Sequence, residues 1–158
     1  MEGKQTLSRY SLKSTPQRES FYDGSWGSSL LFKARAGALE LNDRTYRFNP
    51  RNSKECEYGC MVNGRIVDET VQHVMTECQG YSEAMIWAIA EYRRVLGEEG
   101  FREITLRGDD DQGTNFFLGF GKDIPIEIME ITKRYLVWIW AVRQTKVNLG
   151  SITENPSM

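Results

Sequence analysis

Leu30, Leu31, Phe32, Ala34, Ala36, Ala38 and Leu39 form an apolar-rich run of good helix formers without proline, which predicts a helix from about Ser28 to Leu39. Asn42 and Asp43 mark a turn after it, and Arg44 to Lys54, polar and basic with Asn49, Pro50 and Asn52, is expected to be loop. Asn63 and Gly64 punctuate the next stretch. Asp68 is then placed to cap a helix that starts at Glu69 and runs through His73 to about Glu77. Met85, Ile86, Ile89, Ala90, Tyr92 and Leu96 repeat at helical spacing from Ser82 until Gly97 and Gly100, where the helix is expected to stop. Asp109, Asp110, Asp111 and Gly113 suggest an exposed acidic loop, followed by a turn or two of helix at Phe116, Phe117, Leu118 and Phe120. A last helix opens near Pro125 and carries Ile128, Ile131, Tyr135, Trp138, Ile139 and Val142 at three- and four-residue steps. Val137 and Trp140 widen its apolar surface beyond a single stripe.

Short helices joined by polar turns place the chain in the mainly α class. The 158 residues, 40% hydrophobic and 11% aromatic, suffice for one core of ordinary size and are too few for two comfortable ones. The expected organisation is a polar arm over residues 1–23, a single helical domain over 24–148 and a disordered tail over 149–158, with Tyr10, Leu12, Phe21 and Tyr22 able to dock locally. No internal repeat is visible.

Charge refines this picture. The net formal charge is −2, but residues 1–51 carry nine Lys/Arg against five Asp/Glu, and residues 52–105 carry five against ten. A basic front is followed by an acidic middle. Met1 to Arg18 is polar throughout, which argues against a secretory signal and for an intracellular protein. The most apolar segment, Tyr135 to Val142, is bracketed by Lys133, Arg134 and Arg143 and falls well short of the ~20 residues needed to span a bilayer.

All three cysteines and the single histidine fall in one window, as Cys56-x3-Cys60-x12-His73-x4-Cys78. An odd cysteine count cannot be fully paired in internal disulfides, whereas three thiolates and an imidazole make a standard closed structural zinc site. The expectation is one structural Zn2+ ion, with no coordination position left for substrate. The competing reading makes Cys60 and Cys78 small core residues and His73 an ordinary hydrogen-bonded side chain. A redox role is weaker, since the spacing is not Cys-x-x-Cys. A catalytic zinc is weaker too, because it would have three protein ligands and an open position.

Leu31-Phe32-Lys33-Ala34-Arg35-Ala36-Gly37-Ala38-Leu39 and Leu41-Asn42-Asp43-Arg44, followed by Cys56, Cys60, Glu69-Thr70-Val71-Gln72-His73, Glu77-Cys78 and Tyr81, carry a resemblance. Together they resemble the zinc-binding segment that follows the reverse transcriptase in LINE-type, non-LTR retrotransposons. The Glu-Thr-x-x-His-x-x-x-x-Cys core is its most specific part. The likeness covers about residues 28–87, and Phe117-Leu118-Gly119 and Tyr135-Leu136-x-x-Ile139-Trp140-x-x-Arg143 resemble the closing helices of that family more loosely. The resemblance implies that Cys56, Cys60, His73 and Cys78 bind the metal, that the segment contacts nucleic acid during target-primed reverse transcription, and that this chain is a freestanding or domesticated tail without the polymerase. Two departures stand out: the first cysteine pair is more widely spaced than usual, and Ala84 and Met85 occupy positions where an Arg often follows the last Cys.

Three functional readings follow. A nucleic-acid-binding module would use Lys33, Arg35, Arg44, Arg47 and Arg51, interleaved with Tyr46 and Phe48 for phosphate contact and base stacking. A protein adaptor or self-associating scaffold would use Tyr135, Trp138 and Trp140 on the last helix, with Trp138 more readily explained as core than Trp140. An enzyme would have to draw on Asp109, Asp110, Asp111, Glu127, Glu130 and Lys133, but Glu130 and Lys133 are spaced as a helix-surface pair, so a non-enzymatic protein without a small-molecule substrate is expected.

Overall fold

The computed structural model describes residues 21–50, 52–106, 110–121 and 123–153. Among these the chain is mainly α, with one two-stranded hairpin as its only sheet.

Helix α1 spans Trp26–Arg35, two residues earlier at its start and four shorter at its end than the apolar run suggests. Ser25 caps it by accepting from the Ser28 amide at 3.1 Å. Gly37 ends it: at φ 67° it lets the Ala38 amide reach the Lys33 carbonyl (2.7 Å) and its own amide reach Ala34 (3.3 Å), the two bonds of a Schellman close. Leu30, Leu31 and Ala34 face the core.

Helix α2, Asn42–Phe48, replaces the expected loop. It buries no residue, so no apolar stripe announces it, and Leu41 offers no side-chain cap. Its first amides are satisfied from a distance. The Asn42 amide donates to Glu69 Oε1 (2.8 Å) and the Asp43 amide to the Glu69 carbonyl (3.2 Å).

Strands β1 (Met61–Val62) and β2 (Arg65–Ile66) pair antiparallel across Asn63 and Gly64, both at positive φ, the two-residue Asn-Gly turn that matches strand twist. The ladder continues below the hairpin, with the Cys56 amide on the Val67 carbonyl (2.8 Å) and the Val67 amide on the Cys60 carbonyl (2.9 Å).

Helix α3, Val71–Thr76, is capped by Thr70 rather than Asp68, its side chain accepting from the His73 amide at 3.1 Å. A 3₁₀ turn at Gln79–Tyr81 leads into α4, Ser82–Leu106. Gly97 (φ 75°, ψ 162°) ends the first helical run of α4 where expected, and a second run follows directly through Gly100, in which Phe101 and Ile104 resume the apolar spacing and pack back on the core. Helix α5, Asp110–Phe117, takes in residues expected to be loop. Helix α6, Ile126–Thr153, runs past Lys146 into the expected tail, while 154–158 lie outside the described residues.

The core is one cluster centred on α6, with Ile128, Met129, Tyr135, Leu136 and Ile139 buried against α1 and α4. α1 approaches α6 so closely that a Cβ on Gly27 would sit 2.9 Å from Lys133 Cβ. Phe21 and Tyr22, from the expected arm, pack on this core, and Lys133 Nζ ties the segment down through the Phe21 carbonyl (2.8 Å) and Asp23 (3.2 Å). The expected docking of Tyr10 and Leu12 lies outside the described residues.

Candidate metal centre

Two separately folded pieces of backbone bring the four ligand side chains together. The hairpin ladder fixes Cys56 and Cys60 at its base. Helix α3 carries His73, and its last turn widens so that the Glu77 and Cys78 amides both donate to the His73 carbonyl, at 2.9 and 2.8 Å. Cys78 therefore leaves the helix on the side that His73 occupies.

The ligand atoms of Cys56, Cys60, His73 and Cys78 lie within 4.8 Å of one another. Thiolates at ~2.3 Å and an imidazole at ~2.0 Å in a tetrahedron imply edges of about 3.8 Å between sulfurs and about 3.5 Å from sulfur to nitrogen. Sγ of Cys78 is 3.6 Å from that of Cys56 and 3.8 Å from that of Cys60, and His73 Nε2 is 3.3 Å from Cys56 Sγ. The donor set and its spacing thus fit one tetrahedral ion held entirely by protein, and the four residues do not behave as scattered core and surface side chains.

The surroundings suit the same reading. His73 Nδ1 lies 3.3 Å from Glu77 Oε2, so the carboxylate selects the tautomer that leaves Nε2 free to ligate. The Tyr58 amide points at Cys56 Sγ from 3.4 Å. The Tyr58 ring lies over Gly80, where any Cβ would run into it, and meets Tyr81 edge-on with centroids 5.3 Å apart. Burial pushes the Cys78 thiol upward in pKa, and the neighbouring Cys56 and Cys60 sulfurs add to this. A bound cation reverses that balance by favouring thiolate.

Beneath the ligands runs a buried polar network. Glu69, fully buried, receives Arg143 side-on, from Nε at 3.0 Å and from a terminal nitrogen at 2.7 Å. Burial alone would depress the Arg143 pKa, but hydrogen bonding to Glu69 more than offsets it and keeps the guanidinium charged. The same guanidinium reaches Asn42 Oδ1 at 3.2 Å. Asn42 Nδ2 then bonds the Glu55 carbonyl (2.7 Å) and Glu57 Oε1 (2.9 Å) on either side of Cys56. Helix α2, the ligand loop and α6 are thereby joined at one carboxylate. Asn42, Glu69, Glu77 and Arg143 are not among the site residues expected from the sequence, where their only signal is their place within the motifs that carry the resemblance.

The remaining candidates divide. Arg35 is fully buried, its guanidinium 4.6 Å over the Phe120 ring and 3.0 Å from the Tyr22 hydroxyl, so it braces α1 and is withdrawn as a nucleic-acid contact. Lys33 lies 5.6 Å over Trp26. Arg44 stacks at 4.9 Å on Phe48, itself 72% exposed, and pairs with Glu40, while Arg47 pairs with Asp43 at 2.7 Å. Arg51 lies outside the described residues. Tyr135 is buried and donates to the Met75 carbonyl at 2.6 Å, which withdraws it as a partner contact. Trp138 is the more exposed of the two tryptophans, at 37% and 6.0 Å from Trp87, whereas Trp140 is half-buried under the Arg143 guanidinium, the reverse of the expected order. Asp109 and the side chains of Asp110 and Asp111 lie outside the described residues. Glu130 does pair with Lys133, at 2.8 Å. No described helix is long and apolar enough to cross a membrane.

Comparison of the chain with protein-family models, with curated proteins and with solved structures finds no match in any of the three.

Proposed function

We propose that the chain is a non-enzymatic, zinc-stabilised interaction module whose partner is nucleic acid. The observation that carries the metal half is the convergence of three sulfurs and one imidazole nitrogen within 4.8 Å of one another, with three of the separations close to tetrahedral edges. Thiolate-rich tetrahedral sites suit zinc, and a closed one contributes folding energy rather than chemistry. Zn2+ held by Cys56, Cys60, His73 and Cys78 would fasten the hairpin to α3. Three thiolate ligands also suit a reducing, intracellular setting.

The nucleic-acid half rests on the surface beside that centre. Arg44 on exposed Phe48 and Lys54 at 5.5 Å over Tyr46 combine cation and ring as single-stranded nucleic acid requires, with Arg47 and Lys33 adding charge. The resemblance to the segment after retrotransposon reverse transcriptases supports the same reading. Its quoted residues Asn42, Glu69 and Arg143 meet in one network under the metal ligands. A second reading, a protein adaptor or a homodimerising scaffold, is favoured by the exposure of Trp138 beside Trp87 and of Met61 and Val62 on the hairpin.

Native mass spectrometry of protein taken directly from cells, followed by titration with single-stranded RNA over a salt series, separates these readings. The proposal expects one zinc per chain and an affinity that falls steeply with salt, with the logarithmic slope reduced by about 0.7 on removing a cation such as Arg44 or Arg47. A retained protein, or a stable dimer that ignores RNA at low salt, favours the adaptor reading.

A further inference from the structure

A pocket of about 180 Å³, partly open to solvent, lies against α3, where Met75 and Thr76 line it. The two halves of α4 on either side of Gly97 set Ala88 and Tyr92 on one wall and Phe101 on another, and Phe117 of α5 and Met75 of α3 add to the lining. Tyr92 stacks on Phe117 at 4.1 Å and Phe101 lies 6.4 Å from the same ring, so one side is a continuous aromatic surface.

The hydroxyls around it are committed elsewhere. Tyr135 donates to the Met75 carbonyl (2.6 Å), Thr76 to Gln72 (2.6 Å) and Thr105 to Phe101 (2.9 Å). Thr132 gives its proton to the Phe117 carbonyl (2.7 Å), which leaves Tyr92 to donate to Thr132 at 2.7 Å. With no proton left to offer, the lining gives water few partners, and an apolar space of similar size, ~150 Å³, is known to accept benzene.

We propose that this cavity is a binding site for a compact apolar molecule, a single aromatic ring or a short branched alkyl group. The volume decides the class, since drug-sized ligands need about 300 Å³ or more. Met75 and Met85, with flexible polarisable side chains, adapt the wall to the ring they meet. The site is independent of the metal reading, although α3 turns His73 toward one and Met75 toward the other, so an occupant braces the helix that carries a metal ligand.

The test is a benzene titration of the full chain, as purified, with ¹³C-labelled methionine methyls. Saturable ring-current shifts at Met75 and Met85, with Met61 on the exposed hairpin unmoved, are expected. Tm should rise by about 3–6 °C at ten times the dissociation constant. Ala88→Leu, which fills the cavity, should abolish both responses; if that variant does not fold, the wild-type titration decides alone. No saturable change up to the solubility of benzene, an equal shift at Met61, or shifts that survive in folded Ala88→Leu would overturn the proposal.

Discussion

At the scale of single residues, His73 is held at both ring nitrogens, by Glu77 at Nδ1 and by the sulfur cluster at Nε2. Glu77→Gln keeps the shape but removes the charge that fixes the tautomer, and should weaken zinc affinity by about 10- to 100-fold in competition with a chromophoric chelator. Glu69 behaves differently because it is fully buried. Glu69→Ala removes the side-on carboxylate from a buried Arg143 and leaves it only Asn42 Oδ1 at 3.2 Å and Glu57 at 3.9 Å, and the expected loss is about 3–5 kcal/mol in urea denaturation of the metal-loaded protein. Arg143→Met should cost a similar amount, and the double variant less than the two together. The ligands were legible in the sequence because every cysteine and the single histidine share one window. Their supports were not. Asn42, Glu69 and Arg143 lie up to 101 positions apart, and only the fold makes them one network.

Among the elements, α3 and α2 show opposite relations to the sequence. Helix α3 is short but signalled locally, by a capping residue ahead of His73; the expected cap, Asp68, lies two residues before Thr70, which caps the helix. Thr70→Ala should destabilise the protein by about 1 kcal/mol and raise the rate of zinc release, read by stopped-flow chelation. Helix α2 carries no apolar face to announce it and owes its first amides to Glu69, twenty-seven positions away. Sequence periodicity has no access to that kind of support. Helix α4 sits between the cases: its first run ends at Gly97 as the sequence predicts, but Gly100 does not stop the second, because an apolar pattern resumes beyond the break. At φ 75° and ψ 162°, with open space around the missing Cβ, Gly97→Ala is opposed by backbone strain alone. It should lower stability by about 1–3 kcal/mol in thermal unfolding.

For the molecule as a whole, the mainly α class followed from apolar spacing, and α6 emerged as the central element because its pattern was the longest. Its surface was less legible. A stripe of mixed aromatic residues shows which helix is buried but not which aromatic turns outward, so Trp138 and Trp140 exchanged roles. The candidate metal centre joins the hairpin to α3 and, through Asn42 and Glu57, to α6, so a bound ion would hold this end of the helical body together. Zinc removal should therefore loosen 55–78 and the end of α6 near Arg143 together, which amide hydrogen exchange with and without chelator resolves. The most direct test of the central claim is zinc K-edge X-ray absorption on the purified chain. The account requires a four-coordinate shell of three sulfurs near ~2.3 Å and one imidazole nitrogen near ~2.0 Å, losing one sulfur in Cys78→Ser; a shell dominated by oxygen, or protein that carries no zinc, would contradict it.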